Sequence, residues 1–242
     1  MKDSLGDRQK TYENVYRHYL IRRMPVIIRI DGKAFSSFTR GCNRPFDQDI
    51  INCMTEAALA VAKEMQGFCC AYVQSDEASF LLVDYQQLET EAWFDNNVNK
   101  LVSISASIMT ARFNELWAKR NGKLAHFDSR AFNVPREDVS NYFLWRNQDW
   151  ERNSLQMYAQ SNFSHKELHK KNKVDMHEML HQKGKNWATD LNDQQKNGTW
   201  LIRCSAGDLT CIFTRYDIHP TYAEIAEVVE PFVSPEETDE KV

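Results

Sequence analysis

The segment Pro25-Val26-Ile27-Ile28-Arg29-Ile30 is apolar and β-branched, which predicts a buried strand that stops at Asp31-Gly32. A carboxylate therefore stands at a strand end. Residues 47–66 follow Pro45 and carry apolar side chains at Ile50, Ile51, Met54, Ala58, Val61, Ala62 and Met65. That spacing predicts a helix, with Gly67 placed to cap it. The runs 68–73 and 78–83 are apolar and β-prone, and Gln74-Ser75-Asp76-Glu77 between them reads as a hairpin turn bearing acids. From 91 to 120 the positions Phe94, Val98, Leu101, Ile104, Ile108, Ala111 and Leu116 keep a helical period that Asn121-Gly122 breaks. Residues 125–134 then read as a fourth strand ending at Pro135. Strand, helix, strand, strand, helix, strand is the α+β, ferredoxin-like βαββαβ order, an antiparallel sheet with two helices on one face. This order can bring the end of the first strand beside the hairpin turn.

From residue 136 the chain changes character, with Trp145, Trp150, many Asn and Gln, and the run 164–173, SHKELHKKNK. Helical propensity dominates there, so a second, helix-rich lobe is expected, dividing the chain into 1–135 and 136–242. The acidic stretch 234–240 has little to bury and is expected to fray or be disordered.

Composition narrows the function classes. The chain of 242 residues is 42% hydrophobic and 26% charged, which is globular rather than disordered. Its longest apolar runs, 57–62 and 68–73, are far too short for a bilayer, and the polar N-terminus MKDSLGDRQK has no secretory pattern, so a cytoplasmic location is expected. Cys42, Cys53, Cys69, Cys70, Cys204 and Cys211 lack Cys-x-x-Cys spacing, which predicts neither a disulfide framework nor a zinc knuckle. With a net charge of −4, a nucleic-acid partner has to meet a local basic patch.

Asp31-Gly32 and Ser75-Asp76-Glu77 are the constellation that carries chemistry. Carboxylates at neighbouring strand ends, with a glycine permitting close backbone approach, suit two Mg²⁺ ions that bridge substrate phosphates. The same residue types also populate ordinary turns. Lys33, Arg44 and Lys100 are available to hold a triphosphate. A competing pattern is His177-Glu178-Met179-Leu180-His181, a literal zinc-peptidase H-E-x-x-H, although Trp187 stands where the longer pattern places a third histidine. Residues 163–185 hold six lysines, four histidines and three acids, an excess able to contact RNA phosphates or simply to face water. A non-catalytic RNA-binding module stays open beside the enzyme readings.

The segments RIDGKAFSSF (29–38), QSDEASF (74–80), FDSR (127–130), YFLWRNQDWERNSL (142–155), KGKNW (183–187) and NGTWLI (197–202) together resemble the tRNA-His guanylyltransferase family across most of the chain. The resemblance implies a polymerase-palm-like domain that adds nucleotides in the 3′-to-5′ direction to the 5′ end of a tRNA. It implies Asp31 and Asp76 as catalytic metal ligands with the Gly32 carbonyl, Glu77 as a catalytic neighbour, and two Mg²⁺ ions. Lys33, Ala34, Phe35, Arg44, Ser75 and Lys100 correspond to nucleotide and triphosphate contacts. Arg29, Arg130 and Asn153 correspond to residues near the active site, and Lys166, Lys170, Lys171 and Lys173 of the basic stretch are the candidate tRNA contacts. ATP and GTP or other nucleotides are the implied substrates, and a homotetramer built as a dimer of dimers is the implied assembly. Ser36 and Glu151-Arg152-Asn153-Ser154 depart from the eukaryotic His and H-I-N-N motifs. They resemble the branch that restores truncated tRNA 5′ ends by pairing with a template, with addition of G at position −1 as the alternative.

Overall fold

The computed structural model describes residues 4–87, 89–118, 120, 123–204 and 211–234. Along the chain run α1 (Ser4–Asn14), β1 (Val26–Gly32), α2 (Phe35–Phe38), α3 (Gln48–Glu64), β2 (Phe68–Gln74), β3 (Glu77–Leu82), α4 (Val98–Trp117) and β4 (Phe127–Asn133). They are followed by α5 (Val139–Asn162), α6 (His165–Leu168), α7 (Lys173–Gln182), α8 (Trp187–Asp190), α9 (Asp193–Asn197), β5 (Thr199–Arg203), β6 (Ile212–Arg215) and α10 (Tyr222–Val233). All six strands belong to one antiparallel sheet in the order β4-β1-β3-β2-β5-β6. The four strands β4-β1-β3-β2 are the expected βαββαβ frame, with α3 and α4 as the two helices.

Alternation along the strands divides the core into two layers. Val26, Ile28 and Ile30 of β1 join Ala71, Val73 and Phe80 against Met54, Ala58 and Val61 of α3 and Leu101, Met109 and Phe113 of α4. Ile27 faces the other way, with Tyr72, Leu81, Trp200, Phe143 and Trp150, and with Ile225, Val228 and Val229 of α10. Strands covered on both faces read as continuous apolar runs, which is why residues 26–30 and 68–73 look uniformly buried in the sequence.

The C-terminal half is helix-rich, with α5 to α10, and it also carries two short strands. It supplies β5 and β6 to the same sheet and covers its second face with α5 and α10, because Ile27, Tyr72 and Leu81 need that cover. The helical segment α6–α9 builds a small core of its own on the end of α5, from Leu155, Tyr158 and Ala159 against Met176, Leu180 and Leu191. The frayed tail expected at 234–240 lies outside the described residues beyond Ser234. The cysteine expectation is corrected at one place: antiparallel pairing of β5 and β6 brings Cys204 and Cys211 to a Cα separation of 5.4 Å, and they are disulfide-bonded. Cys42, Cys53, Cys69 and Cys70 are free. Among the described residues no helix is long and apolar enough to cross a membrane.

Gly67 ends the α3 connection with φ +76°, and its carbonyl accepts from the Val83 amide at 2.9 Å. A Cβ there would approach the Val83 carbonyl oxygen to 2.4 Å. Gly67→Ala is therefore expected to destabilise the fold by about 1–3 kcal/mol, measured by urea unfolding, and unchanged stability would contradict this packing.

Candidate functional site

β1 ends where the β2–β3 turn begins, and one backbone contact joins them: the Gly32 amide donates to the Asp76 carbonyl at 3.0 Å. Asp31 is already paired across the ladder with Glu77. Glycine is required at position 32 because a Cβ there would stand 2.9 Å from both Cβ and Oδ2 of Asp76. Ser75 bends the turn in the left-handed region, with φ 47°. The Asp31 and Asp76 side chains are thereby brought into one neighbourhood from positions far apart in sequence. Burial raises the Asp76 carboxyl to about 6, with Asp31 adding to the rise against hydrogen bonds from its own amide and the Ser75 side chain. A divalent cation relieves this arrangement, since it favours ionisation of both acids.

Asp76 stands in the wall between two cavities. The larger, about 590 Å³, is bounded by Gly32, Ala34, Phe35, Arg44, Ser75 and Asp76. The smaller, about 390 Å³, is bounded by Asp31, Asp76, Glu77, Arg146, Asp149 and Asn153. Phe35 contributes an edge only, since its ring is anchored in the core against Phe38, Phe113 and Phe127. Arg44 is exposed on a loop that Asp47 pins: Asp47 accepts from the amides of Asn43 and Asp49 and from both terminal nitrogens of Arg120.

The charge around Asp31 is organised by arginines. Arg29 and Arg130 are cross-strand neighbours on β1 and β4, and Arg130 Nη2 lies 3.9 Å from Asp31 Oδ2 and 3.2 Å from Asp128. The Arg29 Nε is buried without a hydrogen bond and sits 3.8 Å from Glu77 Oε2. The Glu77 carboxylate also accepts from Arg146 Nε at 2.8 Å.

Several expected residues are not gathered here. Lys33 is exposed and lines neither cavity. Lys100 lies on the first turn of α4, whereas Thr110 and Asn114 of the same helix reach Phe127 and Ala125 near the strand end. Ser105, five residues after Lys100, meets Ser129 opposite Ile30, while Lys100 itself lines neither cavity. Lys166, Lys170 and Lys171 are exposed, while Lys173 pairs with Glu151 at 2.9 Å. His177 and His181 line a separate cavity of about 310 Å³ with Trp187 and Lys185, and Glu178 accepts from Gln182. Among the described residues no group of three or more His, Cys, Asp or Glu is placed to hold a metal ion. The two-carboxylate site at Asp31 and Asp76 still suits Mg²⁺, which takes one or two carboxylates together with substrate phosphates.

Sequence reasoning reached α5 only at Asn153 and missed the rest of its contribution. Arg146, Asp149, Asn153, Gln156 and Gln160 all line the smaller cavity. Their steps of three and four residues form a polar stripe, the signal that could have found them. Arg120, the partner of Asp47, had no such signal, being set by the meeting of α4 and the Arg44 loop.

A family model described as tRNAHis guanylyltransferase matches residues 6–135. The probable tRNA(His) guanylyltransferase of Drosophila melanogaster is 36% identical over 137 residues, 54% of this chain and 46% of that protein. The chain spans about half the length of this curated relative. A bacterial tRNA(His) guanylyltransferase-like protein solved in complex with ATP superposes with TM-score 0.88 at 43% identity, over 96% of this chain and 100% of that one. A structure of such a protein in complex with GTP gives TM-score 0.80 at 39% identity and the same coverage.

The Asp47–Arg120 pair gives this site a pH signature. Burial pushes the Asp47 carboxyl up, but hydrogen bonds from Arg120, Asn43 and Asp49 outweigh it and hold it below its ordinary 3.8. Its contribution to stability is complete above that value and fades as pH falls through the depressed one. Arg120→Met should lower the melting temperature most at neutral pH, with the deficit shrinking below about pH 4. A deficit that is the same at pH 7 and pH 3 would count against the pairing.

Proposed function

Because the chain belongs to the tRNA(His) guanylyltransferase family, we propose that it adds nucleotides to the 5′ end of a tRNA, restoring truncated ends against a template strand. The observation that carries this reading is the seating of Asp76 against Gly32, which sets its carboxylate on the border of both cavities with Asp31 beside it in the smaller one. Asp31, Asp76 and the Gly32 carbonyl would hold Mg²⁺, which supplies a lowered pKa at the attacking oxygen and neutralises charge on leaving pyrophosphate.

Around that centre the side chains bind and orient. In the first step the 5′-phosphate of the RNA attacks the α-phosphate of ATP, giving an adenylylated end and pyrophosphate. In the second, the 3′-hydroxyl of the incoming nucleotide attacks the activated 5′-phosphate and AMP leaves. Arg44, beside Ala34 and Ser75 in the larger cavity, is suited to phosphate oxygens. Arg29 and Arg130 flank Asp31 with guanidinium donors to spare, a second place for phosphate charge. No nucleophilic Cys or His is required, in keeping with a site whose work is positioning and charge screening. Asn153 of the Glu151–Ser154 segment borders the smaller cavity, where the RNA end would meet it. A homotetramer belongs to the same reading, supported by the exposed Tyr12, Val15, Tyr16, Tyr19 and Ile21 of the N-terminal arm.

Asp31→Ala and Asp76→Ala are each expected to lower Mg²⁺-dependent nucleotide addition by about two orders of magnitude or more while leaving tRNA affinity nearly intact. The assay is product sizing with a 5′-monophosphorylated truncated tRNA, ATP and each nucleoside triphosphate. An intact tRNA-His run in parallel separates repair from addition of G at position −1. Full activity in both variants would overturn the site.

The RNA path is proposed to leave the cavities along α5 toward Lys166, Lys170 and Lys171. The acids of that segment are already engaged, Glu167 with the Ser164 amide and Asp175 with the Asn172 amide. Replacing the three lysines by alanine should weaken tRNA binding and reduce its logarithmic salt slope by about 2–3, as counterion release requires. A slope identical to the parent's would return those lysines to ordinary surface.

A further inference from the structure

Glu77 follows Asp76 directly and pairs across the ladder with Asp31, so in sequence it reads as a third carboxylate of the cation site. Its surroundings say otherwise. Oε1 accepts from Arg146 Nε at 2.8 Å and from Gln74 Nε2 and Ser79 Oγ at 3.4 Å, while Oε2 lies 3.8 Å from Arg29 Nε. Arg146 is itself buried, at 7% exposure, and stacks over the Trp145 ring at 4.3 Å. Its Nη2 donates to Asp149 Oδ2 at 2.8 Å, one turn further along α5. Asp149 is held in turn by Arg152 and by Asn153 Nδ2 at 3.4 Å. Glu77 is thus enclosed by a braced guanidinium.

We propose that Arg146 is a positioning residue for nucleotide addition, holding Glu77 out of the cation site so that Asp31 and Asp76 alone face the metal. This rests on the reading of those two aspartates as cation ligands. The physical need is charge: three neighbouring carboxylates sharing a half-buried pocket repel one another and offer a cation several competing geometries. One guanidinium removes the surplus negative charge and fixes where Glu77 points. The device also ties α5, which lies beyond the residues matched by the family model, to the strand that begins at Glu77, next to Asp76.

The test uses Mn²⁺ as the probe, its binding measured by electron paramagnetic resonance on the full-length protein, beside the rate of nucleotide addition. In Arg146→Gln the released Glu77 adds a free carboxylate, so Mn²⁺ should bind more tightly while addition slows by about tenfold or more. Affinity and rate moving in opposite directions is a result that simple loss of packing does not produce. In E77Q/R146Q both charges vanish together, and Mn²⁺ affinity should stay within about threefold of the parent with most of the rate regained. Asp76→Asn is the reference for true ligand loss. If E77Q/R146Q loses Mn²⁺ as completely as Asp76→Asn, Glu77 is a ligand and the proposal falls. Unchanged Mn²⁺ binding in Asp76→Asn would overturn instead the site reading beneath it. Should Arg146→Gln fail to fold, the double variant decides alone.

Discussion

Everything at the site depends on how closely two pieces of backbone can approach. The Gly32 amide reaches the Asp76 carbonyl only because position 32 carries no side chain, and the Asp76 carboxylate occupies the space a Cβ would have filled. This one contact fixes the hairpin turn against the end of β1. It converts two acids forty-five positions apart into neighbours and sets the electrostatic cost that burial then raises. That cost is carried by a sheet rigid enough to bear it, since Ile28, Ile30, Ala78 and Phe80 around the junction are wholly buried.

The sheet is rigid because both its faces are covered, and the two covers come from different parts of the chain. α3 and α4 cover one face and are local to the βαββαβ frame. α5 and α10 cover the other and are contributed from the C-terminal half, which also extends the sheet through β5 and β6. The helix that completes the second core layer is therefore also the helix that presents Arg146, Asp149 and Asn153 to the smaller cavity. Core packing and charge placement share one element, with Phe143 and Trp150 turned inward and the polar stripe turned toward the acids.

Much of this was legible in the sequence, and the reasons are physical. Strands such as β1 and β2 announce themselves through unbroken β-branched and apolar runs, and acids at their ends are visible wherever the runs stop. α3 carries a clear apolar stripe and an Asp47 cap. What could not be read depends on partners distant in the chain. β5 and β6 are five and four residues long and gain their identity only from pairing with β2 and each other. The Cys204–Cys211 bond follows from that pairing rather than from spacing. Lys100 fits a motif, yet it lines neither cavity, because which turn of α4 meets the site is set by how the helix lies on the sheet. Glu77 is the subtlest case, since its neighbours in sequence are the site's and its neighbours in space are arginines.

The wall shared by the two cavities has a thermodynamic corollary. Because Asp76 belongs to both chambers, a charged occupant of one would change the field felt by an occupant of the other, and the two binding equilibria would be linked. Linkage is reciprocal: whatever free energy a ligand in the larger chamber lends to its neighbour, the neighbour returns in equal measure. A single carboxylate in a partition would thus couple the two chambers through its charge, independent of any movement of the chain.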